Sequence, residues 1–430
     1  MEKVIDFLSF QDPTVRLVVA GTVLLSISAA VVGCFAYLRK RALVGDALAH
    51  SLLPGVAMAF LFSGQKDPWL LLLGAMISGW LALGAMELIQ QHTKLASETS
   101  IALVLSVFFG FGVLLLTYLQ HHGGGDQAGL DQFLFGNAAS MRSSDLYAYG
   151  LVGMVLLVMI GAFYKELKLY CFDPDHAEAI GLPTRILRYL LNTMTVLATA
   201  IGIQSVGVVL MAALLITPAA TARFWSYRLR TMLFLAALGG AVAGLGGSFA
   251  SYLAPAMPTG PWIVMVLSFL ALVSIFLAPR VGIFARMWRQ RQNQRKIIRE
   301  NLLKAFYHGL ENKEAQHAWL SRPEWQEQRH LPEWEWQIGF RQLRRRRWVL
   351  RRSGRYRLTE RGLAEARRVV RLHRLWELYL SRYLALGKDH LHPGAESIEH
   401  LITPEVEKEL LRELDYPEQD PHRSPIPYKS

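Results

Sequence analysis

A lipid bilayer admits only chains whose backbone polar groups are all paired internally, and about 20 consecutive apolar residues suffice for one helical crossing. Nine stretches of this sequence reach that length, at roughly 15–38, 43–63, 69–91, 97–119, 145–164, 184–203, 205–223, 231–253 and 262–278. The first 279 residues are therefore expected to form an all-α polytopic membrane bundle of about eight or nine spans. The two stretches that meet at Gln204 have almost no linker between them, so one of them is expected to be short or re-entrant. The first run begins near Val15 and no cleavage motif follows it, which marks a retained span rather than a signal peptide.

Charge divides the chain again. Residues 1–279 hold 15 Lys and Arg against 14 Asp and Glu, whereas residues 280–430 hold 31 against 20. An apolar, near-neutral part is thus followed by a polar part of net charge +11, large enough for a soluble core of its own. The expected organisation is a membrane domain at 1–279, a basic connector at 280–298 and a further domain at 299–430. The two cysteines, Cys34 and Cys171, are far apart and make no disulfide framework. With nine spans, the basic groups at Arg39 to Arg41, Lys165 to Arg188, Arg223 to Arg230 and Arg280 to Arg289 all face one side. The opposite loops "SGQKDP" and "QHHGGGDQ" share a single lysine. The lysine and arginine bias makes the basic side cytoplasmic, with the N-terminus outside and residues 280–430 inside the cell.

The second span, "VGDALAHSLLPGVAMAF", carries Asp46 and His50. A carboxylate at membrane depth costs at least a few kcal/mol unless it faces protein or water. Positions i and i+4 share one helical face, and carboxylate oxygen with imidazole nitrogen suits Mn²⁺, Fe²⁺ or Zn²⁺. Equally, Asp46 lies near a helix end and could cap it, with His50 in a packing hydrogen bond. From the spacing alone both readings stay open.

Three segments in order, "GDALAHSLLPGVAMAFLF", "FDPDHAEAIGLP" and "VGVVLMAALLITPAATARF", resemble the permease subunits of ABC importers for manganese, zinc and iron. The resemblance spans about residues 10–279. It implies that Asp46 and His50 line the translocation path and meet the metal. It also implies that Asp173, Pro174, His176, Ala179 and Gly181 belong to a coupling helix docking on an ATPase subunit. The chain has no G-x-x-x-x-G-K-[ST] phosphate loop, so ATP hydrolysis falls to a separate partner. An extracytoplasmic metal-binding protein and a second permease copy or paralogue complete the implied assembly, placed in the inner membrane.

The connector, with Phe284 and Trp288 among arginines, suits anionic lipid headgroups as well as it suits a plain solvated helix. Beyond it, helices near 299–310 and 334–347, then "RRSGRYRLT" as a hairpin turning at Ser-Gly, then a helix capped by Thr359, form the pattern of a winged helix. Together with the tail that begins "HLHPGAESIEHLITPEVEKELL", residues 297–427 resemble the metal-dependent repressors of the diphtheria-toxin-repressor family. This cytoplasmic part is expected to be an α-rich winged helix plus a helical metal-binding and dimerisation domain. The resemblance assigns His373, Glu377, His392, Glu396, Glu399 and His400 to the family's two metal sites. Glu396, where iron-type members have cysteine, favours Mn²⁺. Two positions depart from the pattern. Asn301 and Lys304 stand where manganese-type members have carboxylates, and a protonated lysine cannot coordinate. The prolines Pro323 and Pro332 are expected to interrupt the helix pair. Nine arginines within residues 341–357 can neutralise DNA phosphates, headgroups or an ATPase surface. A domain tethered to the membrane searches DNA poorly, so the expected function is a divalent-metal permease whose cytoplasmic domain senses metal and regulates transport. The competing readings are a membrane-tethered or released transcription regulator and an antiporter without an ATPase.

Overall fold

The computed structural model describes residues 2–39, 42–64, 67–122, 136, 141–254, 257–311, 317–326, 332–383 and 403–428. It divides into two compact units, Met1–Ala285 and Arg286–Ser430.

Among its described residues the first unit holds helices joined by turns and no strand. Its elements are α1 (Glu2–Ser9), α2 (Pro13–Leu38), α3 (Ala42–Ser51), α4 (Leu53–Ser63), α5 (Pro68–His92), α6 (Ser97–His122), α7 (Ser143–Ala162), α8 (Tyr164–Phe172), α9 (Pro174–Ala179), α10 (Thr184–Val206), α11 (Val208–Trp225), α12 (Leu229–Leu253) and α13 (Thr259–Leu277). Three starts share one device, an Asp followed by Pro. Asp12, Asp67 and Asp173 accept from the amides of Thr14, Trp69 and His176 at 2.8, 2.8 and 3.0 Å. The proline takes the first helical position, where an amide hydrogen has no helical partner.

Among the described residues eight helices are long and apolar enough to cross a membrane, counting α3 and α4 as one span from Leu43 to Ser63. A ninth apolar helix, Leu210–Trp225, is shorter. Its direction follows from the side chains around it. Arg39 donates to the Tyr170 carbonyl at 3.2 Å and stacks 4.4 Å above the Tyr170 ring. Lys165 and Lys168 line the same cleft as Arg228 and Arg230. Trp225 donates from Nε1 to Ser274 Oγ at 2.8 Å. The turn after α2, helix α8, the turn after α11 and the end of α13 therefore gather at one end of the bundle, so α10 and α11 run out and back. The break between them falls at Gly207, whose φ of 91° and ψ of 157° belong to a region that glycine alone occupies readily.

Without water to drive helices together, close backbone approach at small residues holds such a bundle. A Cβ on Gly240 would lie 2.5 Å from Ser26 O, and one on Gly55 would lie 2.0 Å from Gly74 O. The α2–α12 seam is also bonded by Thr22 Oγ1 and Ser248 Oγ, 2.9 Å apart. Cys34 and Cys171 are free and buried.

Helix α14 (Ile283–Glu311) carries the chain through the expected connector without a break. The second unit continues with β1 (Leu320–Ser321), α15 (Arg322–Gln326), α16 (Glu333–Arg345), β2 (Val349–Arg352), β3 (Arg355–Leu358), α17 (Glu360–Tyr383) and α18 (Pro404–Glu413). The strands form one antiparallel sheet in the order β1-β3-β2. This is the expected winged helix. Ser353 and Gly354 both have positive φ, at 48° and 76°, which turns the two-residue hairpin. Thr359 Oγ1 accepts from Gly362 N at 3.2 Å, the expected cap of α17. The core is aromatic, with Phe306, Trp325, Trp336 and Tyr356 buried together. The two prolines do not interrupt the helix pair as expected. Pro323 occupies the first turn of α15 and Pro332 precedes α16, where neither removes a helical hydrogen bond.

Candidate metal pathway and regulatory centre

Helix α3 places Asp46 and His50 on one face, with Nε2 of His50 3.8 Å from Oδ1 of Asp46. That is too long for a hydrogen bond, so neither group satisfies the other. Two ligand bonds of about 2.1 Å, opened by 90–109°, bring their donors to about 3.0–3.4 Å, so a small side-chain rotation closes this pair on an ion. The Asp46 side chain is 43% exposed and that of His50 17%. Nδ1 of His50 is buried without a hydrogen-bond partner, and the ring packs edge-to-face with Phe109 of α6, with centroids 4.8 Å apart. Leu215 of α11 presses on the helix beside Asp46, since a Cβ on Gly45 would lie 2.7 Å from its Cδ2. Pro54 lacks the amide that would bond the His50 carbonyl, and the span breaks there between α3 and α4. Below this pair a cavity of about 290 Å³ opens between α3, α5, α6 and α10, lined by Leu43, Glu87, Gln90, Glu98 and Arg188.

Helix α9 holds Pro174, His176 and Ala179, with Asp173 as its N-cap. It ends in a Schellman turn in which Gly181, at φ 85°, donates to Glu178 O and Leu182 donates to Ala177 O, both at 3.0 Å. Ala177 is buried against the bundle, whereas His176, Ala179 and Ile180 are exposed. A capped turn thus presents His176, Ala179 and Ile180 to solvent beside the exposed carboxylates Asp175 and Glu178.

In the second unit, His373 and Glu377 face each other across one turn of α17. Nε2 of His373 lies 3.1 Å from Oε1 of Glu377, and the two side chains are 4% and 1% exposed. The position before Nδ1 is taken by Lys304, whose Nζ is 2.9 Å away. His392, Glu396, Glu399 and His400 lie outside the described residues. Among the described residues no three His, Cys, Asp or Glu side chains converge as a metal site. Beside His373, Arg374 grips Glu311 through two hydrogen bonds of 3.0 and 2.8 Å and also bonds Pro425 O. Burial pushes the Glu311 carboxyl up, but hydrogen bonds from His308 and Arg374 outweigh it and hold the group below its ordinary value. Arg371 holds Glu407 and Pro427 O in the same way, tying the tail to α17.

Comparison with known proteins places this architecture. Residues 11–278 match the family model described as "ABC 3 transport family". The chain belongs to the ABC 3 transport family. Within that family it is 39% identical over 382 residues to the manganese transport system membrane protein MntC of Bacillus subtilis, covering 89% of this chain and 87% of that protein. It is 41% identical over 283 residues to the zinc transport system membrane protein TroC of Treponema pallidum, covering 66% of this chain and 95% of the relative. Among solved structures it resembles PsaBC from Streptococcus pneumoniae in complex with Fab, at TM-score 0.60 and 31% identity, over 67% of this chain and 99% of that one. Residues 359–428 match the model "Iron dependent repressor, metal binding and dimerisation domain".

This ABC 3 permease therefore carries a repressor-type metal-binding module, but His373 and Glu377 do not fit an ion in their present company. Imidazole ligates only through a nitrogen lone pair. With Lys304 as ammonium, Nδ1 must accept from it, which assigns the ring hydrogen to Nε2 on the Glu377 side. No lone pair remains. A dication about 4 Å from the ammonium would meet repulsion of about 8 kcal/mol at an effective dielectric near 20. The sequence flagged Lys304 as an unusual residue type. It gave no sign of the 2.9 Å contact, because 69 positions separate Lys304 from His373. The contact of Phe109 with His50 carried no sequence signal either.

Proposed function

We propose that this chain is the membrane subunit of an ATP-driven importer of a divalent transition metal ion, with Mn²⁺ as the leading substrate and Zn²⁺ or Fe²⁺ as alternatives. The observation that carries the reading is the Asp46–His50 pair, with two donors on one face, mutually unsatisfied, and the buried Nδ1 of His50 unpartnered. A passing ion needs ligands that replace part of its hydration shell without trapping it. One carboxylate and one imidazole fill about half of a four-ligand shell, so a second permease copy at the same level completes it. The carboxylate offsets part of the ion's charge in a low-dielectric bundle, and the ion in turn offsets the cost of holding a partly exposed acid at membrane depth. The cavity holding Glu87 and Glu98 then forms the cytoplasmic exit.

Energy comes from an ATPase subunit docking on the exposed tip of α9 formed by His176, Ala179 and Ile180, held by Asp173, Pro174 and Gly181. A metal-binding protein delivers the ion from outside. The basic end of the bundle faces the cytoplasm, with the permease at 1–279, a connector at 280–298 and a regulatory domain at 299–430. Any regulatory metal is expected at His392, Glu396, Glu399 and His400. Metal-resolved uptake into vesicles containing the chain and its ATPase tests the reading. Asp46→Ala and His50→Ala should each lower uptake at least about ten-fold for every transported metal. Uptake that survives both changes overturns it.

A second reading has one observation in its favour. Arg341, Arg344 to Arg347, Arg351, Arg352 and Arg355 are all exposed on α16 and the wing. Metal-dependent, sequence-specific retention of DNA by the purified full chain would favour a tethered transcription regulator.

A further inference from the structure

The trio Lys304, His373 and Glu377 lies inside the second unit with exposures of 7, 4 and 1%. Buried charges persist only when paired and hydrogen-bonded. Here the ammonium donates to Nδ1 at 2.9 Å, and Nε2 lies within ion-pair distance, 3.1 Å, of Oε1 of the carboxylate. Among the described residues, this ammonium, neutral imidazole and carboxylate sum to zero charge. A carboxylate at position 304 would give the same pocket two negative charges, which is what a dication requires. The lysine removes that requirement and supplies the positive charge itself. Asn301, one turn earlier on α14 and 9% exposed, adds no negative charge to change this balance.

From this geometry we infer that the Lys304 ammonium is a built-in cation that replaces a regulatory metal ion at the His373–Glu377 pair, so this centre joins α14 to α17 without metal. The winged helix then keeps one arrangement at this centre whatever the metal supply. Control of transport through the second unit has to act elsewhere than at His373 and Glu377. The inference leans on the proposed function only in treating the second unit as a regulator. Loss of that reading would change uptake and leave the Lys304 contacts as they are.

The test uses the full chain in lipid nanodiscs, with chelator or with excess Mn²⁺ or Zn²⁺ alone. Acylation of lysines under native conditions is followed by mass spectrometry. Lys408, which is exposed, serves as the reference. Lys304 should react at least about ten-fold more slowly than Lys408, equally with and without metal, because only rare local opening exposes it. Metal that enters the pocket must expel the ammonium. Metal-induced labelling of Lys304 at the Lys408 rate therefore overturns the inference, as does fast labelling in chelator. A second measurement counts bound Mn²⁺. Lys304→Glu should gain about one ion per chain, and the gain should vanish in Lys304→Glu combined with His373→Ala. If His373→Ala in the unaltered background instead lowers bound Mn²⁺ by about one per chain, the lysine is not the resident cation.

Discussion

Asp46–His50 and His373–Glu377 are written in the same chemical terms, a carboxylate and an imidazole four residues apart on a helix. Their surroundings differ. In the membrane unit the pair is 3.8 Å apart and partly open, and among the described residues no lysine or arginine lies within ion-pair distance of Asp46. In the second unit the pair is 3.1 Å apart and buried, and a lysine from another helix stands where an ion would. Spacing along a helix decides which side chains share a face. A third side chain, from elsewhere in the chain, decides whether the face takes a mobile cation or a fixed one.

The comparison can be broken by making the first pair resemble the second. Phe109→Lys sets an ammonium beside His50, and uptake per inserted chain should fall by about two orders of magnitude, whereas Phe109→Met should stay within about three-fold of the unaltered chain. Equal uptake by the two variants would show that a resident cation does not close the path. The reverse change empties the second pair. Lys304→Met leaves Glu377 buried with its cation gone, and should destabilise the second unit by about 3–5 kcal/mol in denaturant titration. Asp46→Asn, at a partly exposed and unpaired site, should leave the unfolding of the membrane unit unchanged. A Lys304→Met effect below about 1 kcal/mol would mean that the trio does not hold its helices together.

Smaller effects arise at the neighbouring arginine clamp. Because the folded Glu311 carboxyl sits below its ordinary value, its contribution is complete above the unfolded value of about 4.3 and is lost as pH falls through the folded one. The second unit should therefore melt at progressively lower temperature on acidification below about pH 5, and Glu311→Gln should flatten that dependence. Smallest is the wing. Gly354→Ala, at φ 76°, should cost about 1 kcal/mol without altering metal uptake.

Much of this was legible in the sequence. The apolar runs located the spans to within a few residues, since membrane thickness sets their length. Ser353-Gly354 and Thr359 marked the wing and the cap beyond it through local backbone chemistry alone. The joint expected at Gln204 fell at Gly207, because hydropathy does not register a single backbone twist. Pro323 and Pro332 misled, since a proline breaks a helix interior and favours a helix start, and only the fold says which applies. The meaning of Lys304 was out of reach, because its partner is set by how α14 packs on α17.

The central claim is that Asp46 bears charge for a passing ion and not for the fold. Manganese uptake by the full chain with its ATPase, measured for Asp46→Asn beside the unaltered protein, tests it most directly. A fall of about ten-fold or more at saturating metal, with an unchanged unfolding temperature, is predicted. Uptake within about two-fold of the unaltered chain, or a loss explained by unfolding, would contradict it.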